Sequence, residues 1–323
     1  MKETMLEVKE LTVNFRNDEK EYTVVNGISF QLKKGETLGL VGESGCGKSV
    51  TSLSIMRLIP TPPGRIVSGE IRYKGTNLLS LKEKEMNAIR GNDISMIFQE
   101  PMTSLTPVFT IGRQLDEVLL LHTDLSKKEA KARSIEMLKL VGIPRPEQIY
   151  VSYPHELSGG MRQRVMIAMG LACEPQMLIA DEPTTALDVT IQAQILDLMR
   201  ELKEKTGTAI LFITHDLGVV AEMCDRVIVM YAGEIVEEAD VDSLFYKPKH
   251  PYTRGLLESI PDLNEKKRRL FSIAGQVPPA GSITTGCRFR DRCSVAVPRC
   301  SEEHPDLQEL EQGHACRCWL YAE

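Results

Sequence analysis

The sequence predicts an α/β protein whose core is a parallel sheet with helices on both faces, followed by a small C-terminal appendage. Three observations carry this. Short apolar strands alternate with helices over most of the chain, the pattern of a sheet buried on both sides. One strand runs into a glycine-rich turn that opens a helix, and another ends in two adjacent acids. Near Tyr246-Lys247-Pro248-Lys249-His250-Pro251 the composition shifts, and the remainder carries prolines, basic residues and clustered cysteines.

Taken in order, Val24 to Phe30, Glu36 to Val41, Arg65 to Lys74 and Asp93 to Phe98 read as strands, bounded by Gly27, Lys34-Gly35, Pro60 to Gly64 and Gly75. A helix interrupts them from about Lys48 to Leu58, stopped by Pro60. Ser126 with Glu129 forms a capping box, and Ala130, Ser134, Leu138 and Val141 recur at helical spacing before Gly142, so the middle of the chain is helical. A strand Met177 to Ala180, a helix Ile191 to Lys205 ended by Gly207, and strands Ala209 to Thr214 and Val227 to Met230 follow. With 323 residues the chain exceeds one compact core. The boundary is placed so that residues 1–247 form the principal domain and 248–323 the appendage.

Hydrophobic residues at 42%, charged residues at 26% and no apolar run of about 18 residues describe a globular protein rather than a membrane-spanning one. Met1 to Glu10 mixes lysines with glutamates and lacks a signal-type apolar segment, which places the chain in the cytoplasm. A net charge of −6 supplies no general attraction for nucleic acid, and the basic run Lys266 to Arg269 reads as a solvated linker. Cys46, Cys173 and Cys224 are scattered, whereas Cys287, Cys293, Cys300, Cys316 and Cys318 crowd together. In a reducing compartment such a cluster points to metal rather than disulfides.

Gly42-Glu43-Ser44-Gly45-Cys46-Gly47-Lys48-Ser49, followed by Val50, fits the Walker A pattern after an apolar strand. Its glycines let successive N–H groups face one concavity. Lys48 reaches the terminal phosphates and Ser49 can ligate Mg²⁺. Met177-Leu178-Ile179-Ala180-Asp181-Glu182 delivers two carboxylates to a strand end, Asp181 for Mg²⁺ and Glu182 for the attacking water. Solvated acids at a strand end are the plain alternative, which the upstream Walker A displaces. Leu157-Ser158-Gly159-Gly160-Met161 places a serine and two glycines at a helix start, a second anion site that one nucleotide does not need.

Together, Walker A, the Walker B segment Met177 to Glu182, LSGG with Met161, Asp188 in Ala186-Leu187-Asp188, and His215 after an apolar strand resemble the ABC ATPase family over about residues 5 to 245. The resemblance implies an ABC-type P-loop ATPase core with an N-terminal antiparallel β part and a helical subdomain, binding ATP and Mg²⁺. It implies a head-to-tail pair with a second, identical or paralogous ATPase subunit, in which Ser158, Gly159, Gly160 and Met161 close on the nucleotide of the partner. Gln99 resembles the Q-loop glutamine that senses Mg²⁺, His215 the switch histidine, and Phe15 the aromatic that stacks on adenine, with Tyr22 as competitor. Tyr153-Pro154-His155-Glu156 only loosely resembles a loop that contacts transmembrane subunits.

His250-Pro251-Tyr252-Thr253-Arg254-Gly255-Leu256-Leu257, with Ile260-Pro261, Gly275-Gln276-Val277-Pro278 and the cysteine tail, closely resembles the segment after the core in peptide and nickel importer ATPases. By its residues alone the segment is an ordinary turn and helix. The resemblance implies an ATP-hydrolysing subunit at the cytoplasmic face of a membrane, working with two permease subunits and an external peptide-binding protein. A soluble ABC ATPase acting on nucleic acid would need a long coiled-coil insertion or tandem domains, a metal sensor would not need an ATPase site, and nickel or another small solute remains an alternative cargo. By chemistry alone, four thiolates suit zinc and an iron–sulfur cube equally. The resemblance implies a [4Fe-4S] cluster on Cys287, Cys293, Cys300 and Cys318, with Cys316 free.

Overall fold

The computed structural model describes residues 3–17, 20–99, 104–185, 187–260 and 272–321. In chain order its strands are β1 (Thr4–Arg16), β2 (Glu21–Lys33), β3 (Thr37–Val41), β4 (Gly64–Tyr73), β5 (Thr76–Asn77), β6 (Ile94–Ile97), β7 (Met177–Asp181), β8 (Ala209–Ile213), β9 (Arg226–Tyr231), β10 (Glu234–Asp240), β11 (Gln308–Glu311) and β12 (His314–Cys316). The chain forms two compact units: Met1–Met5, Lys33–Glu36 and Ser80–Phe212 in one, Leu6–Leu32, Thr37–Leu79 and Ile213–Glu323 in the other.

The second unit holds an antiparallel sheet in the order β2-β1-β4-β5. Leu6 lies opposite Tyr73 and Val8 opposite Ile71, and the register slips between Lys9 and Val13. Gly69 faces that slip at φ +101, where a Cβ would stand 2.6 Å from the carbonyl oxygens of Lys9 and Glu10, so only glycine fits. The same unit contains the strand series β11-β12-β10-β9-β3. β3, buried at all five positions, runs parallel to β9 with Gly39 opposite Val227.

The sheet expected to be parallel is mixed. β9 turns directly into β10 through Ala232 (φ 45) and Gly233 (φ 88), two consecutive left-handed residues that suit a tight hairpin, so β10 is antiparallel. β12, from the C-terminal segment, then pairs antiparallel with β10, Glu237 opposite Cys316. The appendage therefore contributes a strand to the sheet that carries β3. Two buried acids of β10 hold it there. Glu234 accepts hydrogen bonds from Asn26 Nδ2 (2.7 Å), bonds His304 (2.8 Å) and pairs with Arg288 (2.9 Å). Glu237, with no solvent exposure, accepts from the backbone N–H groups of Lys249 (2.6 Å) and His250 (2.9 Å) and bonds His314 Nε2 (2.8 Å).

In the first unit β6 and β7 run parallel, Ile94 opposite Met177. The helix Lys127–Leu140 begins at the expected capping box, where Ser126 Oγ accepts from the Glu129 N–H at 3.4 Å and the Ser126 N–H donates to Glu129 Oε2 at 2.9 Å. The helix Val189–Thr206 ends at Gly207 with φ 68, also as expected. In the second unit the helix after the glycine-rich turn spans only Lys48–Ile55, shorter than the sequence suggests. Arg57 turns left-handed (φ 51) and its guanidinium donates to the Leu78 carbonyl (3.2 Å), so the helix stops before Pro60. Among the described residues no helix is long and apolar enough to cross a membrane. Lys266 to Arg269, Pro261, Glu100-Pro101 and Ala186 lie outside the described residues.

Candidate functional site

β3 delivers the Walker A loop in the second unit. Gly42 adopts φ +151, and a Cβ there would meet Met230 O at 2.2 Å and Cys46 Sγ at 2.8 Å; Gly47, at φ +103, presses on Val24 O. These close approaches curl the loop so that Gly47 opens the helix without any side-chain cap, leaving its first N–H groups for an anion. Lys48 donates to the carbonyls of Gly42 (2.8 Å) and Glu43 (3.1 Å), which arches its ammonium over the loop. Ser44 and Gly45 are exposed, Ser49 and Val50 half-buried, and Cys46 is fully buried, its thiol pushed up by burial. His215 shares a cavity of about 310 Å³ with Gly42, Glu43, Leu217 and Leu256, so the switch-type histidine and the start of the cradle line one space.

Phe15, next to last in β1, lies opposite Gly64, where a Cβ would lie 2.9 Å from its Cζ. It lines a cavity of about 210 Å³ with Asn14, Arg16, Pro62 and Pro63. Tyr22, its competitor, instead lies against Gly281 of the C-terminal segment, whose Cβ would stand 3.0 Å from the tyrosine Cβ.

The first unit assembles the carboxylate side. Asp181 ends β7 with 3% exposure. Glu182, held at φ 48, accepts from Gln99 Nε2 (3.1 Å) and Thr185 Oγ1 (3.1 Å), so the candidate Q-loop glutamine and the candidate base are in direct contact. Oxygen donors of this kind, with a buried carboxylate, suit a hard cation such as Mg²⁺. Ser158 caps the helix Gly159–Leu171, its Oγ accepting from the Met161 N–H at 3.3 Å, and nothing stands within 4 Å of a Cβ built at Gly159, so this helix start is open. Gln163 of that helix donates to the Pro183 carbonyl (2.6 Å), one residue past Glu182. Asp188 caps the helix Val189–Thr206 by accepting from the Ile191 N–H (3.0 Å).

The sequence reading missed what the His250 to Leu257 segment does. Tyr252 is fully buried and its hydroxyl accepts the Glu43 N–H at 2.8 Å. His250, buried and held down to a pKa of about 3 by desolvation, accepts the Tyr252 N–H through Nδ1 (3.1 Å). Arg292, in the cysteine tail, forms a bidentate pair with Glu43 at 2.5 and 3.0 Å. No spacing rule marks either contact; the bulky aromatic in His-Pro-Tyr was the one available signal.

Among the described residues no group of three or more histidine, cysteine, aspartate or glutamate side chains stands at metal-holding distance. The tail thiols nevertheless share one neighbourhood. Burial, then Cys300, Cys318 and Cys293, pushes Cys287 up to about 11, and burial with Cys293 and Cys300 raises Cys318. Cys316, 1% exposed in β12, is raised first by burial and next by Glu237; Cys318 is the cysteine that acts on it.

The family described as ABC transporter matches residues 25–185, and the oligopeptide/dipeptide transporter C-terminal region matches residues 236–300. A probable peptide ABC transporter ATP-binding protein of Sinorhizobium fredii is 55% identical over 98% of this chain and 94% of its own length. The oligopeptide transport ATP-binding protein AppD of Bacillus subtilis is 54% identical over 99% of this chain and 98% of its own. The dimeric post-hydrolysis structure of the ATP-binding cassette MJ0796 with ADP and Pi superposes with a TM-score of 0.68 at 28% identity, covering 73% of this chain and 99% of that one. With full-length relatives at this identity and both matched regions in place, the chain belongs to the ABC transporter family of ATP-binding proteins, with the C-terminal region of the oligopeptide/dipeptide branch.

Proposed function

We propose that this chain hydrolyses ATP to power an ABC importer of di- and oligopeptides, and that residues 1–247 form its nucleotide-binding domain and 248–323 an importer-type extension. The observation that carries the reading is the C-terminal match at residues 236–300, joined to an intact Walker A and a Gln99–Glu182 contact.

In this reading the Walker A residues Gly42 to Val50 hold the phosphates through backbone N–H groups and Lys48, and Phe15 or Tyr22 stacks on the adenine. The residues that would hold Mg²⁺ are Ser49 in the second unit and Asp181 and Gln99 in the first, and the ion would neutralise phosphate charge. Glu182 accepts the proton of the attacking water as its oxygen bonds to the γ-phosphorus and the bond to the β-phosphate oxygen breaks; His215 orients the γ-phosphate. Ser158, Gly159, Gly160 and Met161 present an anion-binding helix start to the nucleotide of a second ATPase subunit, and Asp188 belongs to the same nucleotide-binding set. ATP-driven closure then moves two permease subunits at the cytoplasmic face of the membrane, supplied by a peptide-binding protein on the other side.

Peptide uptake in cells whose own copy is deleted tests this. The wild-type gene restores uptake of a labelled tripeptide, whereas Glu182→Gln binds ATP, does not hydrolyse it and restores nothing. Full uptake with the variant would refute the base assignment, and uptake of nickel but not peptide would reassign the cargo.

The cysteine tail is read as a structural [4Fe-4S] site on Cys287, Cys293, Cys300 and Cys318, with zinc as the alternative ion. Support comes from Cys287, raised by burial and then by Cys300, Cys318 and Cys293, and from Cys316, on which Glu237 acts before any cysteine. ATP hydrolysis needs no electron, so a structural role suffices. Anaerobic purification followed by iron, sulfide and zinc assays decides it: four irons with acid-labile sulfide are expected, lost in Cys318→Ser and kept in Cys316→Ser. Stoichiometric zinc without sulfide overturns the cluster.

A further inference from the structure

An anion cradle that carries its own carboxylate needs that carboxylate neutralised. Glu43 is the second residue of the Walker A loop, and its side chain is only half-buried. Among the described residues its carboxylate pairs with Arg292, which reaches over from the cysteine tail with a side chain 5% exposed. The pairing is bidentate, Nη1 to Oε2 at 2.5 Å and Nη2 to Oε1 at 3.0 Å, the geometry in which guanidinium outperforms a point charge. Arg292 is itself fixed from three other sides. Its Nε donates to the Ala274 carbonyl (2.9 Å), Nη2 to the Ile273 carbonyl (3.4 Å) and Nη1 to the Tyr231 hydroxyl (3.4 Å). Tyr252 meanwhile holds the Glu43 N–H, so the extension grips this residue by main chain and side chain together.

We propose that Arg292 is a positioning residue for the nucleotide site, which cancels the charge of Glu43 and keeps its carboxylate turned away from the phosphates. The proposal rests on the reading of Gly42 to Val50 as the ATP cradle. Without this guanidinium the Glu43 carboxylate is a negative charge on a loop built to hold anions, and it opposes the phosphates directly.

Charge cancellation and simple tethering differ in sign for the double variant. The test is isothermal titration of the purified full chain with Mg²⁺ and a non-hydrolysable ATP analogue, alongside thermal denaturation. Arg292→Gln is expected to weaken binding about tenfold, the scale of one unpaired charge beside a phosphate. Arg292→Lys, which keeps the charge, stays within about threefold of wild type, and added salt shrinks the Arg292→Gln defect. Removing the carboxylate as well, in Glu43→Gln/Arg292→Gln, recovers most of the lost affinity even though the bonds to Ile273 and Ala274 stay broken. A double variant as weak as Arg292→Gln, or Arg292→Lys as weak as Arg292→Gln, overturns the proposal in favour of tethering. Wild-type affinity in Arg292→Gln overturns it outright. No binding by the wild-type chain would instead overturn the nucleotide-site reading beneath it.

Discussion

Gly42→Ala examines the cradle at the point where its shape is most tightly determined. The added Cβ would lie 2.2 Å from Met230 O and 2.8 Å from Cys46 Sγ, at φ +151, a conformation that side chains rarely adopt. The obstructing oxygen is backbone of β9, which is buried and paired with β3, so it cannot swing aside as a side-chain tip would. The loop has to give way by about an ångström to reach ordinary contact. Strain of this kind costs about 1–3 kcal/mol, which lowers Tm by roughly 1–5 °C in a chain of this size. The larger effect falls on binding. Misaligning one N–H that faces a phosphate costs about 1.5–3 kcal/mol, a loss of roughly 10- to 150-fold in affinity for a magnesium-bound ATP analogue, read by calorimetry. Gly45→Ala is the internal control. It also has a positive φ, +81, but nothing lies within 4 Å of its Cβ, so it bears backbone strain alone and stays within about tenfold of wild type. Gly42→Ala binding within threefold of wild type, or Gly45→Ala falling as far as Gly42→Ala, would refute the argument from close packing.

Lys48→Ala removes the ammonium that bridges the Gly42 and Glu43 carbonyls, and nucleotide affinity is expected to fall by two orders of magnitude, about 2.7 kcal/mol; unchanged affinity in equilibrium titration contradicts the assignment. His250 provides a pH signature: its folded pKa of about 3 lies below the ordinary 6.5, so the unfolded chain binds the extra proton. Its stabilising contribution is therefore complete above pH 6.5 and is lost as pH falls from there toward 3, by up to about 1.4 kcal/mol per unit. Denaturant titrations at pH 7.5 and pH 5 should show a smaller drop in His250→Asn, whose amide oxygen can still accept the Tyr252 N–H; an equal drop in both proteins refutes the desolvated histidine as its source.

The parts of the site that depend on local chemistry were legible in the sequence. A glycine-rich turn after an apolar strand, a serine before two glycines at a helix start, and two acids closing a strand each state their conformation within a few residues. Structure placed all three accordingly: Gly47 opening the Lys48 helix, Ser158 capping its helix, and Asp181 ending β7. The Gln99–Glu182 contact was readable as two roles but not as one hydrogen bond, because its partners are 83 residues apart. Helix ends were less legible. Pro60 marks the end of the first helix, yet the turn comes earlier, at Arg57, where a distant carbonyl at Leu78 captures the guanidinium.

β10 shows why the C-terminal segment resisted the same reading. Its sequence, Glu-Ile-Val-Glu-Glu-Ala-Asp, puts acids where a strand pattern calls for apolar residues, and Glu234 and Glu237 are nevertheless buried. A buried carboxylate is stable only where several donors converge on it. Here the donors come from Asn26, Lys249, His250, Arg288, His304 and His314, all but one of them supplied by the segment that follows the strand. The acids that hide the strand from a periodicity count are thus the sites at which the extension is fastened. Truncating the chain after Tyr246 leaves both carboxylates buried without most of their partners, a cost of several kcal/mol for each. The core is therefore expected to fold with its extension rather than before it. A truncated chain that expresses as a soluble protein with the Tm of the full chain would show that the two are energetically independent.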